Sequence, residues 1–179
     1  VPARARARSV CAEMHSGFTA LRSACGMNIE ARLPDVGALI WRDNAAVRAD
    51  VARLVQMWQA LLAEHGGPLL FGRFTVADAF YAPVVMRLRS FALPVPDDVR
   101  TYMDRVSALP GVKAWIDGAL AEQDFLDCEE PYRLRATSVR GRAGGRVSPR
   151  ATAPVAAARC RRRCATRRAA AIRRPATMA

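Results

Sequence analysis

The sequence predicts an all-α protein, a bundle of about five helices followed by a disordered Arg/Ala-rich tail. Apolar residues recur at helical spacing over most of the first 123 positions and nowhere alternate as in strands. Capping and stop residues stand at the ends of several of these segments. The charge is also divided. The 179 residues carry a formal net charge of +12, yet residues 1–131 hold 14 basic and all 16 acidic residues, a net −2. From Tyr132 onward there are 14 arginines and no acid. A slightly acidic body, 1–131, therefore precedes a polycationic tail, 132–179. With 51% hydrophobic residues over its 179 positions, the chain has enough apolar side chain for one domain with a sizeable core.

The first helix is expected from about Arg4 to Cys25, because Val10, Met14, Leu21 and Cys25 fall in one narrow arc at about 100° per residue. Cys11, His15 and Arg22 share the adjoining face, with Phe18 at its boundary. A loop with Pro34 and Gly37 follows. The second helix, about Asn44 to His65, carries Val47, Val51, Leu54, Val55, Trp58, Leu61 and Leu62 on one side. Gly66, Gly67 and Pro68 supply its left-handed cap and stop. The third begins at Thr75, whose spacing to Asp78 makes a capping box with Asp in place of the commoner Glu. Its run from Val76 to Phe91 is apolar nearly all round, which predicts a helix buried in the middle of the bundle and kinked near Pro83. Two shorter helices complete the body, Asp97 to Ala108 and Pro110 to about Gln123, the latter with Pro at a favoured first position.

Several classes are excluded or disfavoured. No apolar run approaches the roughly 20 residues that span a bilayer. Residues 1–10 alternate Ala and Arg without the apolar segment of a secretory signal, and the chain starts without Met, which suggests a truncated fragment or a non-ATG start. Five cysteines form no C-x-x-C pair and are odd in number, so the expected setting is reducing and cytoplasmic. No second His, Cys or carboxylate follows His15 at ligand spacing, so no metal site is expected.

Phe74-Thr75-Val76-Ala77-Asp78-Ala79-Phe80-Tyr81-Ala82-Pro83 resembles the capping-box helix of the glutathione S-transferase C-terminal domain. Leu109-Pro110-Gly111-Val112-Lys113-Ala114-Trp115 is similar to the start of its last core helix, and Ala12-Glu13-Met14-His15-Ser16-Gly17-Phe18 with Met27-Asn28 to its first helix in a bacterial branch. The resemblance covers about Ser9 to Asp127. It implies a helical domain that walls the site for a hydrophobic electrophilic small molecule and admits a homodimer. Complete members place the activating Ser, Cys or Tyr, a cis-proline and the glutathione-binding residues in a thioredoxin-like domain, and none of these is found in this sequence. Glutathione is then a co-substrate of the complete enzyme, and this chain by itself binds no cofactor and is expected to be inactive.

Within that resemblance, Cys11, His15, Phe18, Arg22 and Tyr81 are the candidate substrate-binding residues, with Arg22 or His15 meeting an anionic group. The plainer reading is that this face packs against another domain, since a His and an Arg carry no catalytic signature. No catalytic residue is assigned. Thr75 and Asp78 are read as structural, because a capping box satisfies backbone donors that would otherwise be orphaned. The alternative function is a non-catalytic helical interaction module with a basic RNA-binding tail.

From Arg133 the chain has no aromatic residue, so it cannot bury enough apolar surface to offset a chain entropy of about 1–2 kcal/mol per residue. Clustered Arg neutralises phosphate without reading sequence, but the aromatics that stack on single-stranded bases are missing. Codons rich in G and C encode Arg, Ala, Gly and Pro, so translation past a frameshift also accounts for the tail. In either case nucleic-acid binding by the full chain should be weak, indifferent to sequence and steeply lost as salt rises. Fluorescence anisotropy with a short RNA at two salt concentrations checks this. Truncation after Pro131 should abolish the binding, and binding that survives it would place the site on the body.

Overall fold

In the computed structural model, which describes residues 3–122 and residue 132, the regular structure is helical apart from one isolated bridge between Phe71 and Arg73. Seven helices lie among the described residues: α1 (Ala3–Ser16), α2 (Thr19–Ala24), α3 (Pro34–Asp43), α4 (Ala45–His65), α5 (Val76–Ser90), α6 (Asp97–Ala108) and α7 (Pro110–Glu122). The expected tail lies outside the described residues, Tyr132 excepted.

The longest helix, α4, is bounded by local chemistry. The Asn44 side chain accepts from the N–H groups of Ala46 and Val47 at 3.1 Å, and Gly66 closes the other end at φ 57°, a left-handed conformation that costs Gly little. Val47, Val51, Leu54, Met57, Trp58 and Leu61 form its buried stripe. Trp58 meets the ring edges of Tyr81 at 5.4 Å and Tyr102 at 5.0 Å, so one indole ties α4 to α5 and α6.

The sequence reading is corrected at three points. What was expected as one helix from Arg4 to Cys25 is two. Phe18 adopts a left-handed φ of 54° between α1 and α2, and a Cβ on Gly17 would lie 2.6 Å from the Glu13 carbonyl, so the bend requires glycine there. The N–H of Leu21, in the first turn of the new helix and without a partner in that helix, is satisfied from another element, by the Asp50 carboxylate of α4 at 2.9 Å. Second, the segment expected as a loop around Pro34 and Gly37 contains α3. Its N-cap, Leu33, makes no side-chain cap, but its N–H donates to the Ser90 carbonyl at 2.7 Å. A Cβ on Gly37 would come 1.7 Å from the Phe91 carbonyl, so α3 lies directly on the α5 terminus. Third, α5 is not buried all round. Val76 is 58% and Phe80 39% exposed, while Tyr81, Val84, Val85 and Leu88 are buried. Three sides of the helix are covered and one is bare. The helix continues through Pro83.

Thr75 and Asp78 form the expected capping box, and Asp78 does more than cap. It is fully buried. One carboxylate oxygen accepts from the Thr75 N–H at 2.9 Å and the Thr75 hydroxyl at 3.1 Å. The other accepts from the Leu70 N–H at 3.2 Å and the Tyr102 hydroxyl at 3.3 Å. Four donors therefore offset the desolvation of a buried carboxyl, and they join the α4–α5 loop, the start of α5 and the middle of α6.

Asp78→Ala should cost about 3 kcal/mol or more, because the Leu70 and Thr75 N–H groups and the Tyr102 hydroxyl each lose a buried partner at about 1–3 kcal/mol apiece. Thr75→Ala, which leaves the Leu70 and Tyr102 bonds intact, should cost about 1 kcal/mol. Urea melts of both variants check the order. Equal midpoints would show that the carboxylate acts only as a cap.

Candidate functional site

Two surfaces qualify, the α1–α2 bend that carries the sequence candidates and a groove between α5 and α7. At the bend, the residues divide. His15 and Arg22 are exposed, and Cys11 is half-buried. The Arg22 guanidinium donates to the His15 carbonyl at 2.8 Å and so closes the last turn of α1 with positive charge, where the helix dipole favours it. Phe18 and Tyr81 are core residues, 5% and 0% exposed, with ring centroids 6.5 Å apart. The Tyr81 hydroxyl donates to the Val10 carbonyl at 3.0 Å. The bend thus offers Cys11, His15 and Arg22 to solvent, with Phe18 and Tyr81 beneath them as support.

Charge around the bend is already engaged. Arg53 of α4 makes a two-pronged pair with Glu13 of α1 at 2.7 and 3.0 Å. Arg87 of α5 donates to the Cys25 carbonyl. Burial pushes the Cys25 thiol up to about 11, the nearby Arg87 opposing only in part, and raises Cys11 as well, with the Asp78 charge adding to it. Neither is activated as a nucleophile, since the thiolate is the reactive form. Among the described residues no three His, Cys, Asp or Glu side chains gather as a metal site would need, and no helix is long and apolar enough to cross a membrane.

The groove was not anticipated from the sequence. It encloses about 510 Å³ and is lined by Phe74, Ala79, Ala82 and Pro83 on the α5 side and by Leu109, Pro110, Gly111, Val112 and Trp115 on the α7 side. No charged side chain lines it. Phe74 is 54% and Trp115 40% exposed. The signal was present in two aromatics placed outside their helices' core stripes, Phe74 just before the cap and Trp115 one position before Ile116. Periodicity counts such residues as noise when no partner element is known.

The fold and the cap together define an all-helical domain built around a buried N-terminal capping box. Residues 4–118 match the family model for the glutathione S-transferase C-terminal domain. That span is well over half of the chain, and the chain belongs to this family. No curated protein matches it.

The buried thiol and phenols make stability sensitive to alkali. Burial raises Cys25 from 9.0, and raises Tyr81 and Tyr102 from 10.0, the latter helped by Asp78. Groups whose folded pKa is raised contribute stability below the unfolded value and lose it as pH climbs through the folded one. The urea midpoint should therefore hold up to about pH 9 and fall steadily above it. A midpoint unchanged across that range would mean that these groups are hydrated in the folded state.

Proposed function

We propose that the chain is the co-substrate-binding helical domain of a glutathione S-transferase-like protein, acting in the reducing cytoplasm. The observation that carries the reading is the family match over residues 4–118. The exposed His15 and Arg22 and the half-buried Cys11 at the α1–α2 bend form the wall against which a hydrophobic electrophile would lie, with Arg22 or His15 toward an anionic group. In the reaction, the glutathione thiolate attacks the electrophilic carbon; a carbon–sulfur bond forms and the leaving group departs with its electron pair. Lowering the thiol pKa falls to a thioredoxin-like domain. Nothing at the bend supplies that step, since the two thiols nearby are themselves held protonated and Arg22 is tied to a carbonyl.

A second reading, a non-catalytic interaction module with a basic RNA-binding tail, is favoured by one observation, the bare apolar face of α5 and α7.

Purified chain, free of host transferases, should give no conjugation of glutathione to a general aryl halide above the uncatalysed rate. Addition of a thioredoxin-like transferase domain should restore turnover, and Arg22→Ala should then weaken binding of anionic electrophiles several-fold without changing the melt. Turnover by the chain alone would overturn the division of labour. Electrophile binding that is unaffected by Arg22→Ala and His15→Ala would remove the bend from the site.

A further inference from the structure

We propose that the outer strip of α5, together with the flank of α1 beside it, is a docking face for an acidic amphipathic helix of another protein. The proposal supplies a partner for the interaction-module reading and does not depend on the catalytic one.

The floor of the face is apolar. Val76 and Phe80 are exposed on α5, and Phe74, also exposed, stands just before its cap. On the α5 wheel, Tyr81, whose hydroxyl reaches Val10 of α1, lies to one side of Val76 and Phe80. Ala79 and Ala82, which line the groove with α7, lie to the other. The strip therefore runs between two flanking helices, an arrangement that receives a further helix by its apolar side. From Val76 to Pro83 it is about 10 Å long, the rise of about two turns.

One flank is cationic. Residues 3–12 of α1 hold three arginines and no acid. At about 100° per residue, Arg4, Arg8, Cys11 and His15 fall within an arc of about 60°. Cys11 lies toward α5, near enough to Asp78 to feel its charge, whereas Glu13, on the opposite side of α1, is held by Arg53 of α4. Arg4 and Arg8, both exposed, are thus on the α5 side of the helix. Val10 meets Tyr81, and the chain beyond the bend meets Arg87 through the Arg22 and Cys25 carbonyls, so α1 and α5 run in the same direction. Counted back from Val10 at about 1.5 Å per residue, Arg4 comes about level with Thr75 and Arg8 about level with Ala79. Both stand along the strip.

These charges are uncompensated. Arg73, exposed next to Phe74, adds another at the head of the strip. Among the described residues no ion pair engages Arg4, Arg8 or Arg73, and the positive end of the α1 dipole adds to their field instead of offsetting it. On the α7 side, Lys113 is neutralised by Asp117 at 2.8 Å within its own helix. Positive potential thus edges the apolar strip on one side only. The complementary surface is a helix with an apolar stripe and acidic residues along one border of it. Arg4 and Arg8 are one turn apart, so the acids that meet them are also one turn apart. The apolar floor favours such a peptide over a polyanion such as RNA, whose phosphates gain nothing from Val76 and Phe80.

The test is fluorescence anisotropy with the full chain and a labelled synthetic peptide of about four helical turns, with leucines at i, i+3, i+4 and i+7 and two glutamates one turn apart on the border of that stripe. A scrambled peptide of the same composition measures what the polycationic tail binds by charge alone. The ordered peptide should bind about tenfold more tightly than the scrambled one, and a difference should persist at high salt, where the contribution of the tail is screened. Arg4→Glu combined with Arg8→Glu should abolish the difference. Acids suit the start of a helix, so this variant should melt no earlier than the parent, and loss of binding cannot then be laid to unfolding. Phe80→Ala should weaken the ordered peptide several-fold, whereas Arg105→Glu, on α6, should leave both affinities unchanged. Equal binding of the two peptides, or binding indifferent to the Arg4 and Arg8 reversals, would overturn the proposal. So would a short RNA or a phosphatidylserine vesicle that requires Phe80 and the two arginines as the peptide does, since the face would then belong to a different partner.

Discussion

The arrangement of the helices depends on the burial of one carboxylate. Asp78 is a capping residue by sequence position, but its second oxygen reaches outside its own helix to the Leu70 N–H and the Tyr102 hydroxyl. A buried acid left unsatisfied would cost more than most side-chain contacts return. The start of α5, the loop behind it and α6 must therefore arrive together for any of them to be stable. Tyr102, fixed by that bond, presents its ring to Trp58, which in turn meets Tyr81. The polar cluster and the aromatic stack are thus one structure, and α4, α5 and α6 are oriented by it.

The same constraint explains why one side of α5 is bare. Asp78, Tyr81, Val85 and Leu88 must face the cluster and the core behind it. The opposite strip, Val76, Ala79, Phe80 and Pro83, is then turned outward whatever its composition. A helix that is apolar all round but covered on three sides leaves a surface whose hydration is unfavourable, and that is the physical basis for expecting something to cover it. At the α1–α2 bend the logic is reversed. There Phe18 and Tyr81 are turned inward, Arg22 and Arg53 are held by carbonyl and carboxylate, and the accessible part is small and polar.

The bend also shows how a locally unfavourable conformation is held in place. A non-glycine residue at positive φ costs about 1 kcal/mol or more. Phe18 adopts it because its ring is buried against Tyr81 and because Asp50, from a helix some thirty residues further along, supplies the acceptor that the new helix start lacks. Neither compensation is local, so neither can be read from residues 14–22. Only Gly17, a poor helix interior residue, marked the place.

Sequence alone determined what depends on neighbours a few positions apart: the α4 stripe from Val47 to Leu61, its Asn44 and Gly66 ends, the Thr75–Asp78 box, and the limits of α6 and α7. These follow from 3.6-residue periodicity and from orphan backbone groups that nearby side chains satisfy. The tertiary structure decided what depends on partners far along the chain. It gave α3 its start through Ser90 and its seat through the absence of a side chain on Gly37. It placed Phe18, at the boundary of the face that Cys11, His15 and Arg22 share, in the core beside Tyr81 while leaving His15 and Arg22 outside. It also exposed Phe74, Phe80 and Trp115, because periodicity gives the direction in which a side chain points relative to its own helix, whereas burial is set by whether another element lies in that direction.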